Sequence, residues 1–264
     1  MAAVNPAKSE AALHGQQAPT LSDSTPAETT APTVLDDLRV SSTDVLARIP
    51  KRQQCVKCKK SVMYFCYYCY GVVGCDRSEI PTVQLPVKLD VVKHVKEKDG
   101  KSTAVHAKIL APDDVEIHAY PDNVPDYDCS GRTLLLFPGE DARCLEDIEP
   151  GSFDRLVVID GTWNQAKAMV RYSPVLGRLP KVAIRAQRTY FWRFQNLDDG
   201  HLATIEAIYH FYREYHQAYA TTPYNGEYDD LLFYFKYFYD MIQKKYRESG
   251  KNFTQRYRGD YIRY

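Results

Sequence analysis

Four cysteines in one short run, CVKCKKSVMYFCYYC, are the residues of this chain whose type and spacing most plainly prescribe a chemistry. Cys55 and Cys58 form one C-x2-C pair and Cys66 and Cys69 a second. Two residues between thiols let a tight turn aim both at one point, and two such turns close a tetrahedron around zinc. Four thiolates leave no open coordination position, so the expected zinc is structural. The connecting stretch is short for a zinc ribbon, and Met63, Tyr64 and Phe65 read as its return strand. Two other readings use the same residues: four buried cysteines without metal, or a redox pair, for which one C-x-x-C would suffice. Cys75, Cys129 and Cys144 fall outside the pattern and read as small apolar residues.

The second chemical candidate is Asp160, which ends the apolar run LVVID and precedes Gly161, Thr162 and Trp163. A carboxylate there stands at the carboxyl edge of a sheet, where α/β proteins bind ligands. Read as a turn residue instead, it caps the helix that opens at Trp163. Glu206 lies within an amphipathic stretch, where the plainest reading is a solvated helix face. Basic residues cluster twice, as Lys51, Arg52, Lys57, Lys59 and Lys60 around the cysteines, and as Arg185, Arg188 and Arg193 interleaved with Tyr190, Phe191 and Trp192. Such mixtures bind phosphate and stack bases. The end of the chain, 248–264, is a basic tail, either solvated or a further RNA contact.

These residues need elements to hold them. Residues 1–50 read as a disordered tail, poor in large apolar side chains, with a short helical lead-in from Val34 to Ile49 capped at Ser42 or Thr43. Residues 51–80 form the zinc module and 81–247 the main domain. Leu85 to Val92 alternates with a period of two, as a half-buried strand does. Ala104 to Leu110, behind Ser102 and stopped by Pro112, reads as a helix, and Val115 to Ala119 as a weak strand. Thr133 to Phe137 and Leu156 to Ile159 are unbroken apolar runs, as in central strands covered on both faces. Trp163 to Val170 reads as helix and Lys181 to Ile184 as strand. His201 to Tyr219 and Asp229 to Tyr246 read as long amphipathic helices. The alternation predicts an α/β fold.

Lys plus Arg and Asp plus Glu number 34 each, so the balanced charge itself names no partner, and any nucleic-acid contact must come from the local clusters. With no charged-then-apolar leader and no apolar run long enough to span a bilayer, the expectation is a protein that neither enters the secretory route nor crosses a membrane. An odd number of cysteines fits a reducing compartment, placed here in the nucleus with the cytosol as alternative.

The spelling of the Asp160 segment adds to this. Asp160-Gly161-Thr162-Trp163 matches the D-x-T-W signature of the DTW-domain family. HLATIEAIYHF, from His201 to Phe211, resembles that family's following helix, with Thr204 and Glu206 in place. LLLFPGEDA, from Leu134 to Ala142, resembles the loop after its preceding strand, and the cysteine pairs stand where the family puts them. The resemblance covers about residues 51 to 247. One departure is the compact link between Phe137 and Asp160, which carries no long charged insertion.

The resemblance implies a SPOUT-like knotted α/β domain with an N-terminal four-cysteine zinc module. It also implies an S-adenosylmethionine-dependent enzyme that places a 3-amino-3-carboxypropyl group on N3 of a D-loop uridine in tRNA, with neither DNA nor membrane as partner. The cofactor pocket is then expected at Phe137, Pro138, Gly139, Glu140, Asp160, Trp163, Leu202 and Thr204. The catalytic set is expected to be Asp160, Thr162, Trp163 and Glu206, with Lys57, Lys59, Lys60, Arg185, Arg188 and Arg193 on the RNA. N3 must lose a proton, which makes Asp160 the first candidate base. Glu206 would hold the donor's ammonium or orient a loop, and Trp163 would stack on adenine or uracil. No G-x-G-x-x-G follows a strand, so a Rossmann-type methyltransferase site has no support. The competing readings are a zinc-containing adaptor for RNA or protein, and methyl transfer on the same fold.

Overall fold

The computed structural model describes residues 35–127, 130–192 and 200–250. The expected disordered tail, Cys129, Arg193 and the basic tail from residue 251 lie outside the described residues.

The centre is a five-stranded parallel sheet built from β3 (Lys88–His94), β4 (Val115–Tyr120), β5 (Thr133–Leu136), β6 (Arg155–Asp160) and β7 (Lys181–Val182), in the order β4-β3-β6-β5-β7. Successive strand residues point to opposite faces. Leu89, Val91, Leu134, Leu156 and Val158 therefore join one core with α2 (Ala104–Leu110) and α5 (Thr204–Tyr219), whereas Val92, Leu135 and Val157 join another with α3 (Trp163–Tyr172) and α4 (Pro174–Arg178). This explains the unbroken apolar runs of β5 and β6: both faces are covered. The final helix, α6 (Phe233–Ser249), runs past the expected boundary at 247.

Three expectations give way, two of them to identifiable hydrogen bonds. Helical spacing from Val34 to Ile49 is realised only in α1 (Asp44–Ala47), behind Thr43. The Arg39 and Ser41 backbone N–H groups donate instead to the carboxylates of Asp229 and Asp230, at 2.8 and 2.7 Å, which straps this segment to the entrance of α6. β3 begins at Lys88, not Leu85, because the Leu85 N–H is taken by Asp114 and Pro86 offers no donor. Asp229–Leu232 is a separate 3-10 turn ahead of α6.

The small hairpin of β1 (Gln53–Gln54) and β2 (Ser61–Val62) belongs to the cysteine module. It packs on the main domain through Phe65, whose ring meets His106 of α2 at 5.4 Å and Tyr234 of α6 at 4.8 Å. No helix among the described residues is long and apolar enough to cross a membrane.

Buried Asp229 accepts from the Arg39 N–H, the Tyr209 hydroxyl and the Tyr224 hydroxyl. Asp229→Ala leaves all three donors without that acceptor and should cost roughly 2–4 kcal/mol in urea unfolding. An unchanged midpoint would show that the strap contributes nothing to stability.

Candidate functional site

The cysteine run folds into two copies of one turn. In the first, the Cys55 N–H donates to Lys60 O at 2.9 Å and the Lys59 N–H to Cys55 O at 2.8 Å; in the second, Cys66 N–H donates to Gly71 O and Tyr70 N–H to Cys66 O, both at 2.9 Å. Gln54 pairs with Ser61 and Phe65 with Val72 at matching offsets. The residue after each second cysteine, Lys59 at φ 61° and Tyr70 at φ 54°, takes the left-handed conformation that turns the chain back. The four sulfurs lie within 4.8 Å of one another, so the cluster could hold a metal ion, a donor set and turn geometry that fit zinc. Backbone N–H groups, that of Cys58 foremost, pull the Cys55 thiol down to about 6, while burial pushes Cys69 up to about 12. Met63 to Phe65 does not supply the return strand: β2 is Ser61–Val62. Cys75 is half-buried, but Cys144 is exposed, not the apolar filler expected.

A cleft lies at the carboxyl ends of β5, β6 and β7, with about 920 Å³ of atom-free space including its open mouth. Phe137 and Pro138 after β5, Gly161 and Trp163 after β6, Ala183 to Gln187 after β7, and Leu202 and Thr204 at the start of α5 wall it. Of the expected cofactor residues, Phe137, Pro138, Trp163, Leu202 and Thr204 are thus brought together, whereas Gly139, Glu140 and Asp160 are not on its wall. The rings of Phe137 and Trp163 stand 6.0 Å apart. His201, which sequence reasoning passed over, sets its ring edge-on to Trp163 at 5.0 Å and 88°. Its place one residue ahead of Leu202 was the available signal. Gly161 has a packing reason: a Cβ there would come 3.1 Å from Gln165 Oε1 and 3.3 Å from His94 Cβ.

Asp160 sits behind this wall. It shares the β6 face of Leu156 and Val158 and points under the starts of α2 and α5, only 2 % exposed. Oδ1 accepts from the Thr204 hydroxyl and Oδ2 from the Ser102 hydroxyl, both at 2.7 Å. Burial raises its pKa against the opposing effect of the two hydroxyls. The carboxylate therefore clamps three segments and does not face the cleft. Nor does it cap α3: Thr162 does, with Gln165 Oε1 accepting from the Thr162 N–H at 2.7 Å and Thr162 Oγ1 from the Gln165 N–H at 3.4 Å. Exposed Thr162 is thereby placed as a capping residue.

Glu206 is 3 % exposed, not on a solvated face. One oxygen accepts from the Tyr190 N–H at 2.7 Å, the other from the Ala203 N–H at 2.7 Å and the Thr189 hydroxyl at 2.6 Å. A single carboxylate so ties Thr189 and Tyr190, inside the connection between β7 and α5, to its last residue, Ala203. Of the two roles open to Glu206, orienting a loop is the one its contacts perform.

Lys57, Lys59 and Lys60 are exposed on the cysteine turns, with Lys60 Nζ 3.1 Å over the Tyr68 ring. Arg185 and Arg188 are exposed as well, Arg185 paired with Glu146. The aromatic residues beside them are turned inward. Phe191 lies against Phe235, Trp192 against Phe235 and Phe238, and Tyr190 against Tyr239, so this segment offers no open stacking platform.

Comparison with known proteins follows this geometry. The DTW domain matches residues 63–243, which takes in the second cysteine pair, the whole parallel sheet and the cleft. The chain belongs to the DTW-domain family. It is 37 % identical to tRNA-uridine aminocarboxypropyltransferase 1 of Xenopus tropicalis, over 83 % of this chain and 89 % of that one. To the protein of the same name from Mus musculus it is 36 % identical, over 82 % and 86 %, and to that from Homo sapiens 34 %, over 82 % and 88 %. No solved structure matches the chain.

The two buried acids give separable outcomes. In Glu206→Gln the amide nitrogen must face a backbone N–H, so a loss of about 1–3 kcal/mol and faster proteolysis after Tyr190 are expected; wild-type behaviour in both would refute the tie. Ser and Thr hydroxyls can reverse roles, so Asp160→Asn should fold normally. Because the folded state raises the Asp160 pKa, that state binds the proton more tightly than the unfolded chain. Wild type should then lose stability relative to Asp160→Asn as pH climbs above the ordinary carboxylate range. Parallel unfolding curves at several pH values test this, and a difference independent of pH counts against it.

Proposed function

We propose that this protein transfers the 3-amino-3-carboxypropyl group of S-adenosylmethionine to N3 of a uridine in the D-loop of tRNA, releasing methylthioadenosine. The observation that carries this reading is the cleft itself. In a chain more than a third identical to several proteins named for uridine aminocarboxypropyl transfer, loops after three neighbouring parallel strands converge on a largely apolar space with two aromatic rings in its wall. That is the environment a nucleoside needs for burial and stacking. When bound, the donor supplies an electrophilic carbon next to its sulfonium. The chain's part is to bind and orient: Phe137, Trp163 and Leu202 offer apolar contact, while Thr204 is fixed by Asp160.

The same reading includes a SPOUT-like knot around the cleft, supported by an all-parallel sheet in which the connections out of β5, β6 and β7 all contribute wall residues. It also places zinc on Cys55, Cys58, Cys66 and Cys69. The turns that hold the metal present Lys57, Lys59, Lys60 and half-exposed Tyr68 outward, which supports a tRNA contact by phosphate pairing and stacking.

Mass spectrometry of unmodified tRNA incubated with protein and S-adenosylmethionine tests the reaction. Aminocarboxypropyluridine with methylthioadenosine is the expected pair; S-adenosylhomocysteine would indicate methyl transfer, and no product together with no heat of donor binding would indicate an adaptor. One equivalent of zinc is expected per chain. Cys66→Ser should lose it and, by loosening the module, weaken tRNA binding at least several-fold. Undiminished affinity in a metal-free variant would detach the module from RNA recognition.

A further inference from the structure

We propose that residues 95–101, the loop leaving β3, bind the phosphate backbone of the substrate tRNA between the cysteine turns and the cleft, an inference that rests on the transfer reading above. The stretch from Lys93 to Lys101 holds four lysines against two acids, Glu97 and Asp99, in a chain whose overall charge balances. Lys93 pairs with Asp99, and Lys96, Lys98 and Lys101 are exposed. An exposed ammonium holds a phosphate as a point charge and releases counterions from the nucleic acid, without reading its sequence. Such contacts fix where a strand lies, which is what a base needs in order to enter a cleft from a polymer.

The loop stands beside both features that the transfer reading assigns to the RNA. β3 is parallel to β6 and neighbours it on the side away from β5, with Lys93 in register with Asp160. The chain therefore leaves β3 at the same edge of the sheet that carries the cleft, one strand over. Contact there is close: a Cβ on Gly161, a wall residue, would come 3.3 Å from His94 Cβ. The cysteine module lies near as well. The charges of Lys93 and Asp99 reach Tyr70, directly after Cys69, and the loop leads into α2, whose His106 meets Phe65. With Lys57, Lys59 and Lys60 exposed on the cysteine turns, the three loop lysines extend that positive surface toward the cleft.

The loop is also held in shape. The Lys96 N–H donates to His94 Nδ1 at 3.0 Å and the Glu97 N–H to His94 O at 2.8 Å. The Lys101 and Ser102 N–H groups share Lys98 O, at 2.7 and 3.1 Å, and the Ser102 hydroxyl is fixed on Asp160. A backbone already ordered loses little freedom when a ligand binds.

The experiment measures binding of unmodified tRNA to the full chain across a range of salt concentrations. Lys96→Gln, Lys98→Gln and Lys101→Gln combined should weaken binding at least about tenfold at low salt and flatten the slope of log affinity against log salt by about 2 to 3, as loss of three phosphate contacts does. Binding of S-adenosylmethionine in calorimetry should stay near wild type. The matching Lys→Arg substitutions keep the charge and should keep the affinity. Wild-type affinity and slope in the Gln variant overturn the assignment; so does an affinity loss with an unchanged slope, the mark of a merely structural role. A wild type that modifies no uridine, beside a Gln variant with weakened binding and a flattened slope, counts against the transfer reading alone.

Discussion

The cleft depends on one buried carboxylate. Asp160 ends β6, while its two hydrogen-bonding partners come from the turn before α2 and from the first residue of α5. These segments are 58 and 44 residues away along the chain. A buried acid is costly unless its oxygens are satisfied, and here both are. The same requirement that keeps the acid tolerable therefore fixes where two helices begin. The Ile205 N–H, donated to Thr103 Oγ1 at 3.1 Å, adds a second tie between the same helix starts. These ties hold the start of α5, with the wall residues Leu202 and Thr204, against the end of β6 that leads to Trp163.

Glu206 repeats the logic one level out. It holds the start of α5 to Thr189 and Tyr190, and the ring packing of Tyr190, Phe191 and Trp192 then carries that connection onto α6. Two acids beside the cleft, one ending β6 and one in the first turn of α5, suggest acid–base chemistry when only their types are known. Their burial and their saturated oxygens give them a mechanical role.

Much of this was legible in the sequence wherever the signal is local. The C-x2-C spacing identified the cysteine cluster, because a turn of fixed length dictates where two thiols point. Unbroken apolar runs identified β5 and β6 for an equally local reason. D-x-T-W located the turn that forms part of the cleft wall, but not which of its residues face inward. That depends on β6 alternation combined with where α2 and α5 begin, and Ser102, Thr103 and Thr204 carry no pattern that names Asp160 or each other as partners. The Arg39 and Ser41 amides were misread for the same reason, since acids some 190 residues away compete for them against the local helix. The Tyr190 to Trp192 segment misled because its composition suits both an RNA platform and a packing surface, and only the neighbouring α6 decides between them.

The cysteine module is joined to the cleft through these contacts. Phe65, immediately before Cys66, packs on His106, and burial pulls the His106 pKa down to about 3, so the ring is neutral and suits the aromatic contact with Phe65, Tyr234 and Phe238. His106 belongs to the first turn of α2, directly after Ser102 and Thr103, which hold Asp160 and α5. A change in the cysteine turns is thereby two packed residues from the hydroxyl that fixes Asp160. The cysteine turns can in this way bear on a site they never touch, because the first turn of α2 both meets Phe65 through His106 and follows directly on the Ser102 and Thr103 of the clamp.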